Sequence, residues 1–224
     1  MSVMIKQFFF LAVLVNTASA QADRFGTPTC DAPNQLAQRT AFILCFNPET
    51  KVAAWSIYEL DPQHLTAPAA PRPTHFRRDP HLASASDSDY RGSSLQRGHL
   101  VPARDLSWSP EALNDSFLLS NAAPQFPAVN QSAMRRLENS IRKRAAAQNE
   151  PIWVITGTLY DCGTAIAYVG RNHVAVPCAF YKVISSNEGI QATIISNETN
   201  PLSEAVPVAS LERRTNLHFF PKRF

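Results

Sequence analysis

Between Gln96 and Glu138 the chain gathers a proton acceptor (His99), a fixed cation (Arg97), two amides (Asn121 and Asn130) and a carboxylate (Glu138). That set is what metal-assisted cleavage of a phosphodiester needs: a base for water, a charge for the phosphate, and oxygen ligands for a hard ion. In Arg97-Gly98-His99 an extended backbone points residues two apart the same way, so guanidinium and imidazole are expected to project together. Gly98 leaves no side chain to keep a phosphate from the backbone. A neutral imidazole takes a proton from water near neutral pH. A neighbouring arginine holds a phosphate oxygen and disfavours the protonated ring. Alone, a histidine beside a glycine is more often a packed or surface residue, so the triplet needs a partner.

Asn130 is that partner. Its carbonyl oxygen suits Mg²⁺, which prefers oxygen ligands in octahedral geometry and keeps several waters. Asn130 is equally a good helix N-cap. Glu138 follows eight residues later, on roughly the same side of a helix but about 12 Å further along its axis. One ion therefore does not take both side chains directly, and Glu138 is expected to act through water on the metal. The alternative for Glu138 is a surface ion pair with Arg135 or Arg142, three and four residues away.

The elements that must position these groups are legible in outline. Ala41 to Phe46 and Val52 to Leu60 are rich in β-branched and aromatic residues, and Asn47-Pro48-Glu49-Thr50 between them is turn chemistry, so a hairpin is expected. Residues 61–94 carry five prolines and a Ser/Asp run, which reads as a long loop. Gly98 to Ala103 is expected as a short strand or extended segment, and Phe117 to Ser120 as a brief apolar strand. Ser109-Pro110-Glu111 opens a short helix, with Ser as cap and Pro at the first helical position. Asn130 is expected to cap a helix to about Ala147 whose buried stripe is Met134, Leu137, Ile141 and Ala145. Ile152 to Tyr160, Ala179 to Ser185 and Ile190 to Ser196 read as strands. Pro207 to Thr215 reads as an amphipathic helix, and Leu217 to Phe220 as a last apolar segment. Strands before and after helices without regular alternation predict an α+β fold, in which a central, mainly antiparallel sheet is flanked by helices.

The 224 residues, 45% hydrophobic, suffice for one domain, read here as residues 21–224. Residues 1–20 read as a signal peptide: Lys6, an apolar run from Phe8 to Val15, and Ala18-Ser19-Ala20 as cleavage site. That run is too short to span a bilayer. A secreted or periplasmic protein is expected. Four cysteines fit an oxidising compartment. Three pairings are open to them; Cys30–Cys45 and Cys162–Cys178 close short loops and are favoured over bridges between the chain ends. No Cys-x-x-Cys spacing supports zinc. The formal charge of +3 becomes +2 when Lys6 leaves, since it is the only charged residue among the first twenty. That is too mild to establish a polyanionic partner. The arginines nevertheless crowd the central stretch: Arg72, Arg77, Arg78, Arg91, Arg97 and Arg104, then Arg135, Arg136, Arg142 and Arg144. Trp55, Trp108 and Trp153 are expected in the core rather than stacked on bases. His64, His75, His81, His173 and His218 are expected to be structural or on the surface.

The chain resembles the DNA/RNA non-specific endonuclease family, which has a ββα-metal active site, in several ordered motifs. These are Gln96-Arg97-Gly98-His99-Leu100-Val101-Pro102, Leu119-Ser120-Asn121-x-x-Pro124-Gln125 and Asn130-Gln131-x-x-x-x-Arg136-Leu137-Glu138. The likeness continues through Val154-Ile155-Thr156-Gly157 and Ala179-Phe180-Tyr181-Lys182 to Leu211-Glu212-x-Arg214-Thr215. The resemblance implies His99 as general base, Asn130 as the single direct protein ligand of Mg²⁺ (with Mn²⁺ as a substitute), and Glu138 on metal-bound water. It implies Arg97 at the transition-state charge and Asn121 as an ordering residue. Substrate contacts are expected from Arg97 and Arg136, with Arg77 and Arg78 as candidates for an upstream substrate arginine. The implied reaction is hydrolysis of DNA and RNA to 5′-phosphate ends. One departure stands out: Gln96 occupies the position where the family usually has Asp. That substitution keeps open a second reading, a secreted nucleic-acid-binding protein with weakened catalysis. A third is a phosphodiesterase for small nucleotides.

Overall fold

A computed structural model of the chain describes residues 26–222. The expected signal peptide, 1–20, lies outside the described residues. The backbone of the fold is a seven-stranded sheet in the order β1-β2-β3-β6-β9-β10-β11, every neighbouring pair antiparallel. These strands are β1 (Gln35–Gln38), β2 (Phe42–Asn47), β3 (Val52–Leu60), β6 (Ile152–Leu159), β9 (Ala179–Ser186), β10 (Gly189–Ser196) and β11 (Ser203–Val206). The β2–β3 hairpin forms as expected, and Asn47 builds its turn by accepting the Glu49 and Thr50 amides at 2.8 and 3.2 Å.

The sheet separates two hydrophobic cores because side chains alternate along each strand. In β6, Ile152 and Val154 enter one core, and Trp153, Ile155 and Leu159 the other. The first core also takes Ile141 and Ala145 of helix α3 (Arg135–Gln148) and Val101, Leu119 and Ala122 from the segments around His99. The second is closed by Leu211 of helix α4 (Val208–Thr215) and by Phe219 and Phe220. Each large side chain fully buried here contributes roughly 1.5–3 kcal/mol. Trp55 and Trp153 are core residues of the second face, and Trp108 packs beside the first. His64 stacks on Trp108 with ring centroids 3.9 Å apart.

Two small paired units lie outside the main sheet: β4 (Gln96–His99) with β5 (Ala122–Gln125), and β7 (Ala167–Val169) with β8 (Val174–Val176). Of the strand or extended segment expected at Gly98 to Ala103, the strand part begins earlier and ends at His99 as β4, and Ala103–Leu106 is a 3₁₀ turn. Phe117 to Ser120 is not a strand. It ends helix α2 (Pro110–Ser116) and enters a 3₁₀ turn at Leu119–Asn121, and the strand falls on Ala122–Gln125 instead. A short apolar run fits a buried turn as well as a strand, and periodicity does not separate the two. Ser109 does cap α2, accepting the Ala112 amide at 3.2 Å. Within residues 61–94, Asp61 caps a short helix α1 (Pro62–Thr66), and Asp87–Tyr90 is a 3₁₀ turn. Both favoured disulfides form, Cys30–Cys45 and Cys162–Cys178.

Candidate active site

Asn130 is not the cap of the long helix. The chain is already helical from residue 127, and Val129–Met134 forms one π-helical turn that runs into α3. The Asn130 amide donates to Phe126 O at 3.0 Å. The π turn has a consequence for spacing. In a regular α-helix eight residues leave two side chains about 80° apart around the axis. A π turn absorbs about one extra residue, which brings Asn130 and Glu138 to within roughly 20° of the same side. Asn130 lines a surface depression with Gln131, Ser132 and Arg135. Arg136, one position on, donates to Ser132 Oγ.

The Asn130 side chain is oriented from β4. Its Nδ2 donates to Gln96 Oε1 at 2.9 Å, which leaves the carbonyl oxygen as the free end of the amide. Opposite Gln96 stands Gln125, fully buried, with neither amide atom bonded. Its side chain crosses Gly98: a Cβ there would lie 2.0 Å from Gln125 Cδ. The glycine is thus explained by the buried amide, and the expected open approach of a phosphate to the Gly98 backbone is not what its missing side chain provides. A buried, unpartnered amide on the strand paired with that of His99, close to an asparagine of the π turn that β4 orients, fits a hydrated hard cation, whose waters demand such acceptors and donors.

His99 ends β4. Its ring packs between Phe76, at 4.7 Å, and Phe117, edge-on at 4.9 Å. The residue keeps some surface, but Nε2 is sealed from solvent and has no partner. Burial, aided by the nearby Arg72 cation, pushes the imidazole down to about 3, so the ring is a neutral proton acceptor at any ordinary pH. Arg72 itself lies over the Phe117 ring at 4.8 Å. Of the upstream arginines, it is therefore Arg72 whose charge reaches His99. Arg77 and Arg78 line a separate groove with Arg39, Asp115 and Leu118, and Arg77 donates to Asn114 O at 3.0 Å. Sequence reasoning missed Arg72 as a site neighbour. Its only signal was membership of the arginine cluster, because the approach comes from residues 72–77 lying alongside Phe117.

Arg97 and His99 leave the same strand, yet each has its own neighbours. Arg97 pairs with Asp87 Oδ1 at 2.7 Å, donates to Asp87 O at 3.0 Å, and sits 5.1 Å over the Tyr90 ring. Asn121 is fully buried and fully bonded. It accepts the Val101 amide at 3.0 Å and donates to Val101 O and Ser116 O at 3.1 and 3.0 Å. Asn121 thus fixes the backbone just after His99 and has no free atom for substrate. Glu138 meets Arg142 at 3.4 Å, as its spacing allowed, and also Lys182 of β9 at 3.6 Å. Arg142 in turn pairs with Asp105, which accepts the Tyr58 hydroxyl at 2.6 Å. Burial raises the Glu138 carboxyl, while Lys182 and Arg142 pull against it. Lys182 was invisible as a site residue because a lysine in the middle of an apolar strand gives no hint of its partner.

Residues 19–223 match the family model for DNA/RNA non-specific endonucleases. The chain belongs to that family. It is 35% identical over 208 residues to human mitochondrial endonuclease G, covering 84% of this chain and 70% of that protein. It is 29% identical over 222 residues to nuclease C1 of Cunninghamella echinulata var. echinulata, covering 89% and 87%. A chain from a crystal structure of the EndoG/EndoGI complex superposes with a TM-score of 0.81 at 27% identity, covering 92% of this chain and 93% of that one. The protein is therefore a non-specific nuclease of the EndoG type, with the ββα-metal fold expected from its motifs. The family is typically metal-dependent.

Proposed function

We propose that the protein is an exported, Mg²⁺-dependent endonuclease that hydrolyses DNA and RNA without regard to sequence and leaves 5′-phosphate ends. The observation that carries this reading is the Gln96–Asn130 hydrogen bond, which ties the strand of the neutral base His99 to the π turn that presents an amide oxygen. In this reading His99 takes the proton of the attacking water. Asn130 would hold Mg²⁺ directly, with Glu138 and the orphaned Gln125 amide bonding to its hydration shell. When bound, the ion supplies charge neutralisation at the phosphate and the departing 3′ oxygen. Arg97, held through one terminal nitrogen by Asp87, offers its remaining N–H donors to a phosphate oxygen as charge grows there, and Asn121 keeps the His99 backbone in place. Arg72, Arg77, Arg78 and Arg136 add attraction for the phosphate chain, so affinity falls with salt.

The extracytoplasmic setting, with residues 1–20 removed and 21–224 acting as one nuclease domain, rests on the amino-terminal pattern and on two disulfides. The human relative carries a mitochondrial designation instead, so fractionation of cells expressing the full chain decides the address.

One assay tests the chemistry. The mature protein should degrade plasmid DNA and ribosomal RNA with Mg²⁺ and stay silent with EDTA. His99→Ala should abolish cleavage while nucleic-acid binding survives. Binding without cleavage by the unaltered protein overturns the enzymatic reading, and hydrolysis confined to small nucleotides overturns the polymeric substrate.

A further inference from the structure

Arg97 does not hold its own position. Its guanidinium is placed by the 3₁₀ turn Asp87–Tyr90, through the Asp87 carboxylate, the Asp87 carbonyl and the face of Tyr90. That turn is in turn gripped by a distant element, the β7–β8 hairpin. Asn172 at the hairpin tip donates its backbone N–H to Asp89 Oδ1 at 3.1 Å and its Nδ2 to Asp89 Oδ2 at 2.8 Å. The same Nδ2 lies 3.4 Å from Ser86 Oγ. Ser86 closes the turn from the other side, bonding Asp89 Oδ2 through its own N–H at 2.7 Å and its hydroxyl at 2.8 Å. Asp89 is only 2% exposed, and these four donors draw its carboxyl below the ordinary range against the burial that would raise it. Gly170 makes the approach possible. Its φ is +68°, and a Cβ there would lie 2.3 Å from Asp89 Cα, a backbone atom that cannot swing away. The hairpin lies wholly within the loop closed by Cys162–Cys178, so its tip is tethered at the base.

We propose that the β7–β8 hairpin is a strap whose tip, through Asn172 and Gly170 on Asp89, positions Arg97 for the reacting phosphate. Asn172 and Asp89 are thus positioning residues for the nuclease reaction, although neither touches the substrate. The proposal rests on the role given to Arg97 above. It follows that loosening the tip should weaken the transition state rather than substrate binding, and only as long as Arg97 is present.

Two glycines of the same loop make the test. Gly163, with φ +78°, has nothing within 4 Å of its would-be Cβ, so Gly163→Ala imposes the same kind of backbone strain without touching the turn. Gly170→Ala should lower kcat about tenfold with little change in KM, whereas Gly163→Ala stays within about twofold of the unaltered enzyme. In an Arg97→Ala background, Gly170→Ala should cost less than about twofold further. Hydrogen exchange gives a reading independent of cleavage: Gly170→Ala should speed exchange in residues 86–91 and 96–99, and Gly163→Ala should not. Equal effects of the two glycines, a full additive loss on top of Arg97→Ala, or unchanged exchange at both segments would each overturn the strap. Failure of the unaltered enzyme to cleave would overturn the nuclease mechanism instead, and the exchange comparison would still decide the strap.

Discussion

His99 shows how a single side chain is made into a base by what surrounds it. Two phenyl rings remove water from the imidazole, and Arg72 adds a positive neighbour, so the protonated form is disfavoured twice. The ring should therefore show no titration between about pH 8 and pH 5 when its carbon shifts are followed by NMR in the substrate-free protein. A midpoint near 6.5 would show that solvent reaches it. The unfolded chain binds this proton at about 6.5, whereas the folded chain waits until about 3. Over that window the unfolded state carries more protons, so the contribution of the neutral ring is present above pH 6.5 and is lost progressively as pH falls toward 3. Gly98, by contrast, was legible only as an absence of side chain. What the absence is for, the passage of the Gln125 amide, depends on a neighbour strand that local sequence does not specify.

At the scale of elements, the π turn and β4 act as one device joined by Gln96. Where the family usually has a carboxylate, the amide of Gln96 still accepts from Asn130, so orientation survives without charge. Gln96→Ala should free the Asn130 amide and weaken binding of Mn²⁺, read by electron paramagnetic resonance, by about 10- to 100-fold. Unchanged Mn²⁺ affinity would mean that the amide is oriented by something else. The hairpin β2–β3 and helix α2 were legible because turn and capping chemistry is local: Asn47 and Ser109 bond within three residues. The π turn was not, because Val129–Met134 carries an ordinary helical pattern whose distortion shows no local signal. The edge strands β1 and β11 were missed for another reason. They are mostly exposed and lack the apolar alternation that marks a half-buried strand.

The whole molecule divides its labour across the sheet. One face builds the site over the first core, and the other is a purely structural pack of Trp55, Tyr181, Phe219 and Phe220. The fold class and the main-sheet strands were readable because both cores write alternating patterns into β3, β6 and β9, whereas the short site strands β4 and β5 carry too few residues for such a pattern and fall at shifted positions. The companions of the site (Arg72, Lys182, Asp87 and Asn172) were not readable, since each arrives from a segment distant in sequence. The two disulfides join residues 15 and 16 apart. Cys30–Cys45 ties the amino-terminal stretch to β2 on the structural face, so Cys30→Ser with Cys45→Ser should cost about 2–4 kcal/mol in urea unfolding while activity at low temperature persists. Loss of activity in that variant with no change in unfolding midpoint would contradict the division.

Gly26 abuts Pro221: a Cβ on the glycine would come within 2.8 Å of the proline ring. The beginning and end of the described chain therefore meet, close to Phe219 and Phe220 on the face away from His99. Connectivity and catalysis are thereby separable. A circularly permuted chain, with Lys222 joined to Gly26 through a short glycine-serine linker and reopened in the exposed Asn187–Glu188 turn, should fold and cut nucleic acid as the natural order does.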